Sequence, residues 1–254
     1  MTKGDVVSTT NDVDAVVSYK KEAEQGDQEA QYNIGLCYYE GRLVEQDFTE
    51  AIKWFRMAAE QGNAKAQNKL GICYARGKGI DRNRKESVKW FTKAAEQGYA
   101  DAQRNVGFCY CYGLGVQQNN EIAFEYHLKA ANQGFLDGMW CVACCYRKGY
   151  GVEQNDEEAT IWMRKVAEQG DAKAQYQLGL NYKMGKGVEE DYAEAVKWFS
   201  KSAAQGIAKA QYELGLCYYE GHGIDQDDKK AEEWFRKAAD KGHKKSQYIL
   251  SLCF

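Results

Sequence analysis

Residues 28–62, QEAQYNIGLCYYEGRLVEQDFTEAIKWFRMAAEQG, carry two amphipathic segments and the signals that start and stop them. In the first half, Ala30, Ile34, Cys37 and Tyr38 recur at spacings of three and four, which predicts a helix over 28–40, helix A. In the second half Ala51, Trp54, Phe55, Ala58 and Ala59 do the same over 48–60, helix B. Asp47 precedes helix B, where its carboxylate can accept hydrogen bonds from the free amides of the first turn. Gly62 follows it, suited to the left-handed conformation that ends helices without steric cost.

A shift of 36 residues lays this stretch on the rest of the chain without insertion or deletion. It aligns Gly26, Gly62, Gly98, Gly134, Gly170, Gly206 and Gly242, and it aligns Trp54, Trp90, Trp162, Trp198 and Trp234 with Tyr126 in the missing place. The residue before helix B is Asp47, Asn83, Asn119, Asn155, Asp191 or Asp227, and Glu50, Glu86, Glu158 and Glu194 three residues on predict a capping-box-like pairing in four of six units. Inside helix A stand Gly35, Gly71, Gly107, Ala143, Gly179 and Gly215, where glycine costs about 1 kcal/mol against alanine unless close packing compensates. A two-helix unit of this size cannot bury its apolar stripe alone, so stacked neighbours must make the core.

The expected organisation is a flexible tail over 1–11 and a single solenoid over 12–254. It comprises a half repeat (12–26), six repeats starting near 27, 63, 99, 135, 171 and 207, and a final half repeat (243–254). A chain stopping on an apolar helix A has no polar cap, and the expectation is a shortened chain or an end covered by a partner.

The formal charge of −3 comes from 34 basic and 37 acidic residues mixed along the chain, with no basic block to track phosphates, so nucleic acid is not an expected partner. Met1–Asp14 has no apolar run that could serve as a signal peptide or membrane span, which, with nine cysteines read as reduced thiols, leads us to expect a cytoplasmic protein without membrane insertion.

The unit A-x-x-x-[LIV]-G-x-x-Y-x-x-G-x-G-[VI]-x-x-[DN]-x-x-x-A-x-x-W-x-x-x-A-A-x-x-G, seen from Ala66 through Gly98 with Ser87 at one alanine position, resembles the Sel-one-like repeat family, relatives of the tetratricopeptide repeat. The resemblance implies an all-α fold, a right-handed α/α superhelical solenoid of 36-residue helix-turn-helix repeats with helix A on its inner face. It implies a scaffold or adaptor for other proteins, in signalling, protein quality control or host contact. In this family the G-x-G-[VI] turn links the helices, as Gly77, Gly79 and Ile80 do here, and Leu43 at the second glycine position predicts an irregular first turn. Some secreted members carry a disulfide in every unit at positions held here by Ala59 and Gln67, Ala95 and Gln103, or Ala203 and Gln211, so that branch is a poor guide to this chain.

Residues that look chemical mostly fall into the framework. Cys37, Cys73, Cys109, Cys145, Cys217 and Cys253 share one repeat position, with Asn181 in the seventh, as a ladder of small buried side chains would. The sharper alternative is zinc bound by Cys109, Cys111, Cys141, Cys144 and Cys145 with His127, although the usual knuckle loops are missing. The stretch from Gly179 to Lys186 fails as a phosphate loop, because its glycines are six apart, Gly187 follows the lysine and no strand precedes it. With three histidines and no nucleophile elbow, no metal, cofactor or catalytic residue is expected.

Trp140 departs from its repeat equivalents, and a position that varies while its neighbours stay fixed is free of packing duty. By analogy with the tetratricopeptide groove, the inner face should present Tyr32, Tyr39, Asn68, Arg104, Cys111, Trp140, Arg147, Tyr176, Lys183, Tyr212, Tyr219 and Tyr248. Aromatic and arginine side chains make good interface anchors, and Arg104, Arg147 and Lys183 gather basic charge near the middle of the series, so a protein or peptide with an acidic group is the expected ligand. Packing of these tyrosines against the neighbouring repeat is the plain alternative. Two other functions stand beside the scaffold: a hydrolase acting on a cell-wall or β-lactam-like substrate, and a self-assembling repeat that stacks end to end through Phe254.

Overall fold

The computed structural model of the protein describes residues 10–253 and forms fourteen α-helices there, with no strand among the described residues. The helices fall into two compact units, Met1–Phe135 and Leu136–Phe254. The first holds α1 (Thr10–Glu24), α2 (Gln28–Glu40), α3 (Phe48–Glu60), α4 (Ala64–Arg76), α5 (Arg84–Glu96), α6 (Ala100–Tyr112) and α7 (Asn120–Asn132). The second holds α8 (Leu136–Lys148), α9 (Asp156–Glu168), α10 (Ala172–Lys183), α11 (Tyr192–Ala204), α12 (Ala208–Glu220), α13 (Asp228–Asp240) and α14 (Lys244–Cys253). Within each unit every helix packs on the next in sequence, so the fold is the expected all-α stack of helix pairs. The tail before residue 10 and Phe254 lie outside the described residues, and α1 already includes Thr10 and Asn11.

Both helices start and stop where the residues say. Each helix B is capped by its expected Asp or Asn, whose side chain accepts from the amide three residues on, as in Asp47 to Glu50 and Asn83 to Glu86. The reciprocal half of the expected capping box is not built. The amide of Asp47 donates instead to the carbonyl of Tyr38 at 3.0 Å, and that of Asp191 to Tyr182 at 3.0 Å, while Glu50, Glu86 and Glu194 pair with the lysine three residues further on. The carbonyl at the end of helix A is the better acceptor because it would otherwise be orphaned, and the bond ties the two helices of a pair.

The first turn is another correction. Leu43 takes φ of 68°, the conformation of Gly79 at 69°, so the turn is regular and the leucine bears a left-handed backbone that costs an L-residue about 1–2 kcal/mol. Glycine is demanded elsewhere by proximity as well as conformation. A Cβ on Gly79 would come within 2.7 Å of Phe48 Cβ and closer still to the Phe48 carbonyl, and Gly115, Gly187 and Gly223 meet the backbone of helix B in the preceding repeat in the same way. Consecutive repeats are thus joined through bare backbone.

The glycine inside helix A makes the second close approach. A Cβ at Gly35, Gly71, Gly179 or Gly215 would lie 2.6–2.7 Å from the ring of Phe55, Phe91, Phe199 or Phe235, each twenty positions later on helix B. Where the ring is His127, the partner is still Gly107; where helix A carries Ala143, helix B carries the unbranched, adaptable Met163. The phenylalanines Phe55, Phe199 and Phe235 are fully buried, which is what offsets glycine's helix penalty.

A buried glutamine ladder completes the skeleton. Gln67 Nε2 donates to the Ala59 carbonyl at 3.0 Å, and its Oε1 accepts from Gln97 Nε2 at 2.7 Å. Gln31 with Gln61, Gln103 with Gln133 and Gln175 with Gln205 repeat the arrangement. Ala59 and Gln67 are among the positions at which the resemblance noted above implies a disulfide in some secreted members, and here a hydrogen bond joins them.

Candidate partner-binding surface

In the first unit the expected surface residues are half-buried, and Asn68 is buried. The Tyr32 ring lies 6.0 Å from Phe55, and Tyr39 lies 5.2 Å from Phe48 and 6.0 Å from Phe55. Burial pushes the Tyr32 phenol up. Cations crowd their outer faces: Lys69 and Lys78 sit 5.4 and 5.3 Å from the Tyr39 ring centre. Asn68 is buried and accepts from Asn105 Nδ2 at 2.9 Å; Asn105 Oδ1 in turn accepts from Arg104 at 3.5 Å. The Arg104 guanidinium stacks on Phe108 at 4.9 Å, while Cys111 is half-buried and its carbonyl accepts from Gln118. Asn68 and Arg104 are therefore brought together through Asn105, a residue the sequence reading did not single out.

In the second unit Trp140 is half-buried on a shallow cleft of about 290 Å³ shared with Leu136, Val166 and Lys173. Arg147 reaches Cys144 Sγ at 3.6 Å. Tyr176 leans on Phe199 at 6.1 Å, and Tyr212 lies 5.9 Å from Phe235 and 4.7 Å from His243. Lys183 forms an ion pair with Glu213 at 2.8 Å, both side chains largely shielded. Burial alone would lower the Lys183 ammonium, but the Glu213 hydrogen bond and charge outweigh it and leave it raised. Its charge is therefore already balanced within the unit. Tyr219 and Tyr248 are exposed.

The surface is thus layered. Tyr32, Tyr39, Tyr176 and Tyr212 give one face to the phenylalanine skeleton and keep part of the ring exposed. Arg104 lies on the first unit and Arg147 on the second.

All nine cysteines are free, and Cys73, Cys109, Cys145 and Cys217 are buried. Burial pushes the thiols of Cys73, Cys109 and Cys217 up to about 11, so they stay protonated and unreactive near neutrality. The exception in the ladder, Asn181, donates to Thr160 Oγ1 at 2.9 Å, and Thr160 stands where other repeats carry Ile52, Val88 or Val196. A polar pair has replaced an apolar one as a unit. Among the described residues no three His, Cys, Asp or Glu side chains are grouped to hold a metal ion, and no helix is long and apolar enough to cross a membrane.

The Sel1 repeat model matches residues 28–63, 64–99, 100–135, 137–171, 172–207 and 208–243. Among solved structures, the chain is similar to a protective antigen present in uropathogenic Escherichia coli strains that displays an SLR fold, with 40% identity and a TM-score of 0.91 over 95% of this chain. This chain spans about half of that protein, 52% of its length. It is also similar to a Sel1 repeat protein from Oxalobacter formigenes, with 32% identity and a TM-score of 0.72 over 91% of this chain and 97% of that one. No curated protein matches the chain.

Proposed function

The chain belongs to the Sel1 repeat family, whose members are generally protein-interaction scaffolds, and on that footing we propose that it is a non-catalytic adaptor holding a protein or peptide on the helix-A face of its repeats. The reading takes residues 12–254 as one continuous array. The observation that supports it is the contrast within helix A. Positions facing helix B repeat almost unchanged, whereas the series Tyr32, Asn68, Arg104, Trp140, Tyr176, Tyr212 and Tyr248 changes character from unit to unit. Tyr32, Tyr176 and Tyr212, which lean on the phenylalanine skeleton, are the part that packing keeps constant, and Asn68, Arg104 and Trp140 are the departures that support a ligand-facing role. Unreactive protonated thiols support a reducing, cytoplasmic setting for the same scaffold.

The test is quantitative capture from native lysate by the full chain and by the Arg104→Ala, Trp140→Ala double variant. Neither side chain is fully buried, so the variant should keep the wild-type melting temperature within a few degrees. A protein retained by the wild type and reduced at least tenfold on the variant is the expected result. Identical capture by both proteins overturns the assignment of this face.

A further inference from the structure

Between the end of α4, the start of α5 and α6 the first unit opens a cleft of about 210 Å³. Its floor is apolar, formed by Ile72, Phe91, Phe108 and Leu114. Its rim carries Arg76, Arg82 and Arg84, all exposed and none of them in an ion pair. Ser87 also lines it. That side chain is 2% exposed, and its hydroxyl has no hydrogen-bond partner.

Two of these polar groups depart from what the other repeats keep, and two occupy variable positions. The equivalents of Ser87 are Ala51, Ala123, Ala159, Ala195 and Ala231, so the fold needs only a methyl there. Arg82 stands where other repeats carry Gln46 and Gln118, whose side chains donate to the carbonyls of Tyr39 and Cys111. Arg84 replaces Phe48, Asn120, Asp156, Tyr192 or Asp228, and Arg76 replaces Glu40, Tyr112, Lys148, Met184 or Glu220. Ser87 and Arg82 depart from positions that the other repeats keep nearly fixed, Arg76 and Arg84 stand at positions that vary from repeat to repeat, and all four line the same opening. An unsatisfied buried hydroxyl costs stability, and three exposed arginines around one opening give it a positive potential that favours an anionic occupant.

We propose that this cleft is a binding subsite for an acidic peptide segment in which a carboxylate side chain neighbours an apolar one. The apolar side chain enters over Phe91 and Phe108. The carboxylates meet the arginine rim, whose guanidinium forks suit them bidentately, and a main-chain or side-chain oxygen accepts from the Ser87 hydroxyl. A free inorganic anion would leave the apolar floor uncovered, and a purely apolar segment would leave the arginines unpaired. The inference rests on the adaptor reading above and specifies where its acidic ligand is recognised.

The experiment is selection of a random dodecapeptide display library on the full chain, followed by fluorescence anisotropy of the enriched peptides against three variants. Enriched sequences should place Asp or Glu beside an aromatic or aliphatic residue. They should lose at least tenfold in affinity on the Arg76→Gln, Arg82→Gln, Arg84→Gln variant, and inorganic phosphate should not displace them at equal ionic strength. Ser87→Ala should weaken them about threefold while raising the melting temperature, a split that a structural role would not produce. Peptides that bind equally well to the triple variant but fail on Arg104→Ala, Trp140→Ala overturn this subsite and leave the adaptor reading standing. Enrichment of no peptide overturns both.

Discussion

The helix pairs α4–α5 and α12–α13 share one skeleton, Phe91 over Gly71 in the first and Phe235 over Gly215 in the second, and each contains a buried polar atom without a partner. In α12–α13 it is Gln211 Oε1, and the cause lies within the ladder. Position 241 is lysine where other repeats place glutamine, and Lys241 Nζ turns away to the Gly206 carbonyl at 2.6 Å. In α4–α5 the orphan is the Ser87 hydroxyl, for which the repeat offers no missing partner at all. One orphan marks a broken internal link and the other an opening among arginines. The comparison separates wear in the framework from a departure aimed outward.

The shared part of the comparison can be broken hardest. Gly71→Val and Gly215→Val should each cost about 3 kcal/mol in denaturant unfolding, because a branched side chain must displace a ring 2.6–2.7 Å from the first added carbon. Following the Ala143–Met163 pair, Phe91→Met should recover part of the loss from Gly71→Ala. A valine variant as stable as the wild type would show that the ring is not held as described.

The pair α6–α7 sharpens the comparison through pH. His127 replaces the phenylalanine, its Nδ1 is buried without a partner, and burial, assisted by the charge of Arg104, lowers its pKa to about 4. The unfolded chain therefore takes up this proton first as pH falls. Stability is full above the unfolded value near 6.5 and is lost as pH drops toward 4, by about 2 kcal/mol at pH 5. Unfolding curves at pH 7 and pH 5 should show that loss in the wild type and a smaller one in His127→Phe; equal losses would remove the histidine from the account.

The smallest effect concerns the broken link itself. Lys241→Gln should restore a donor to Gln211 Oε1 and stabilise the chain by about 1 kcal/mol. No gain in melting temperature would mean that the amide is satisfied in another way.

The fold was legible because its signals are local and repeated. Asp47 and Gly62 bound helix B wherever the period places them, and the small residue at Gly71 announces a close approach even before the ring of Phe91 is known to fill it. The glutamine ladder was hidden because Gln67 reads as polar surface; only the carbonyl of Ala59 and the amide of Gln97, met in three dimensions, make burial tolerable. The capping box failed for a similar reason, since the local motif does not know that Tyr38 will offer a carbonyl to Asp47. The candidate surface was legible in part. Trp140 stood out as a departure from the repeat, whereas Arg82 and Ser87 departed as clearly but at a turn position and a packed alanine position, and Arg76 and Arg84 were hidden at helix ends where every repeat differs. Glu213, which neutralises Lys183, lies thirty residues away and could not be paired with it by pattern.

The contact of Gly79 with the backbone of Phe48 bears on how such a chain changes over generations. A seam made of main-chain atoms and an absent side chain does not record the identity of the modules on either side. Whole 36-residue modules can therefore be copied, deleted or reordered with this part of each seam re-forming unaltered, and only the side-chain links across a seam, such as Asn68 with Asn105 and Lys183 with Glu213, have to be matched anew.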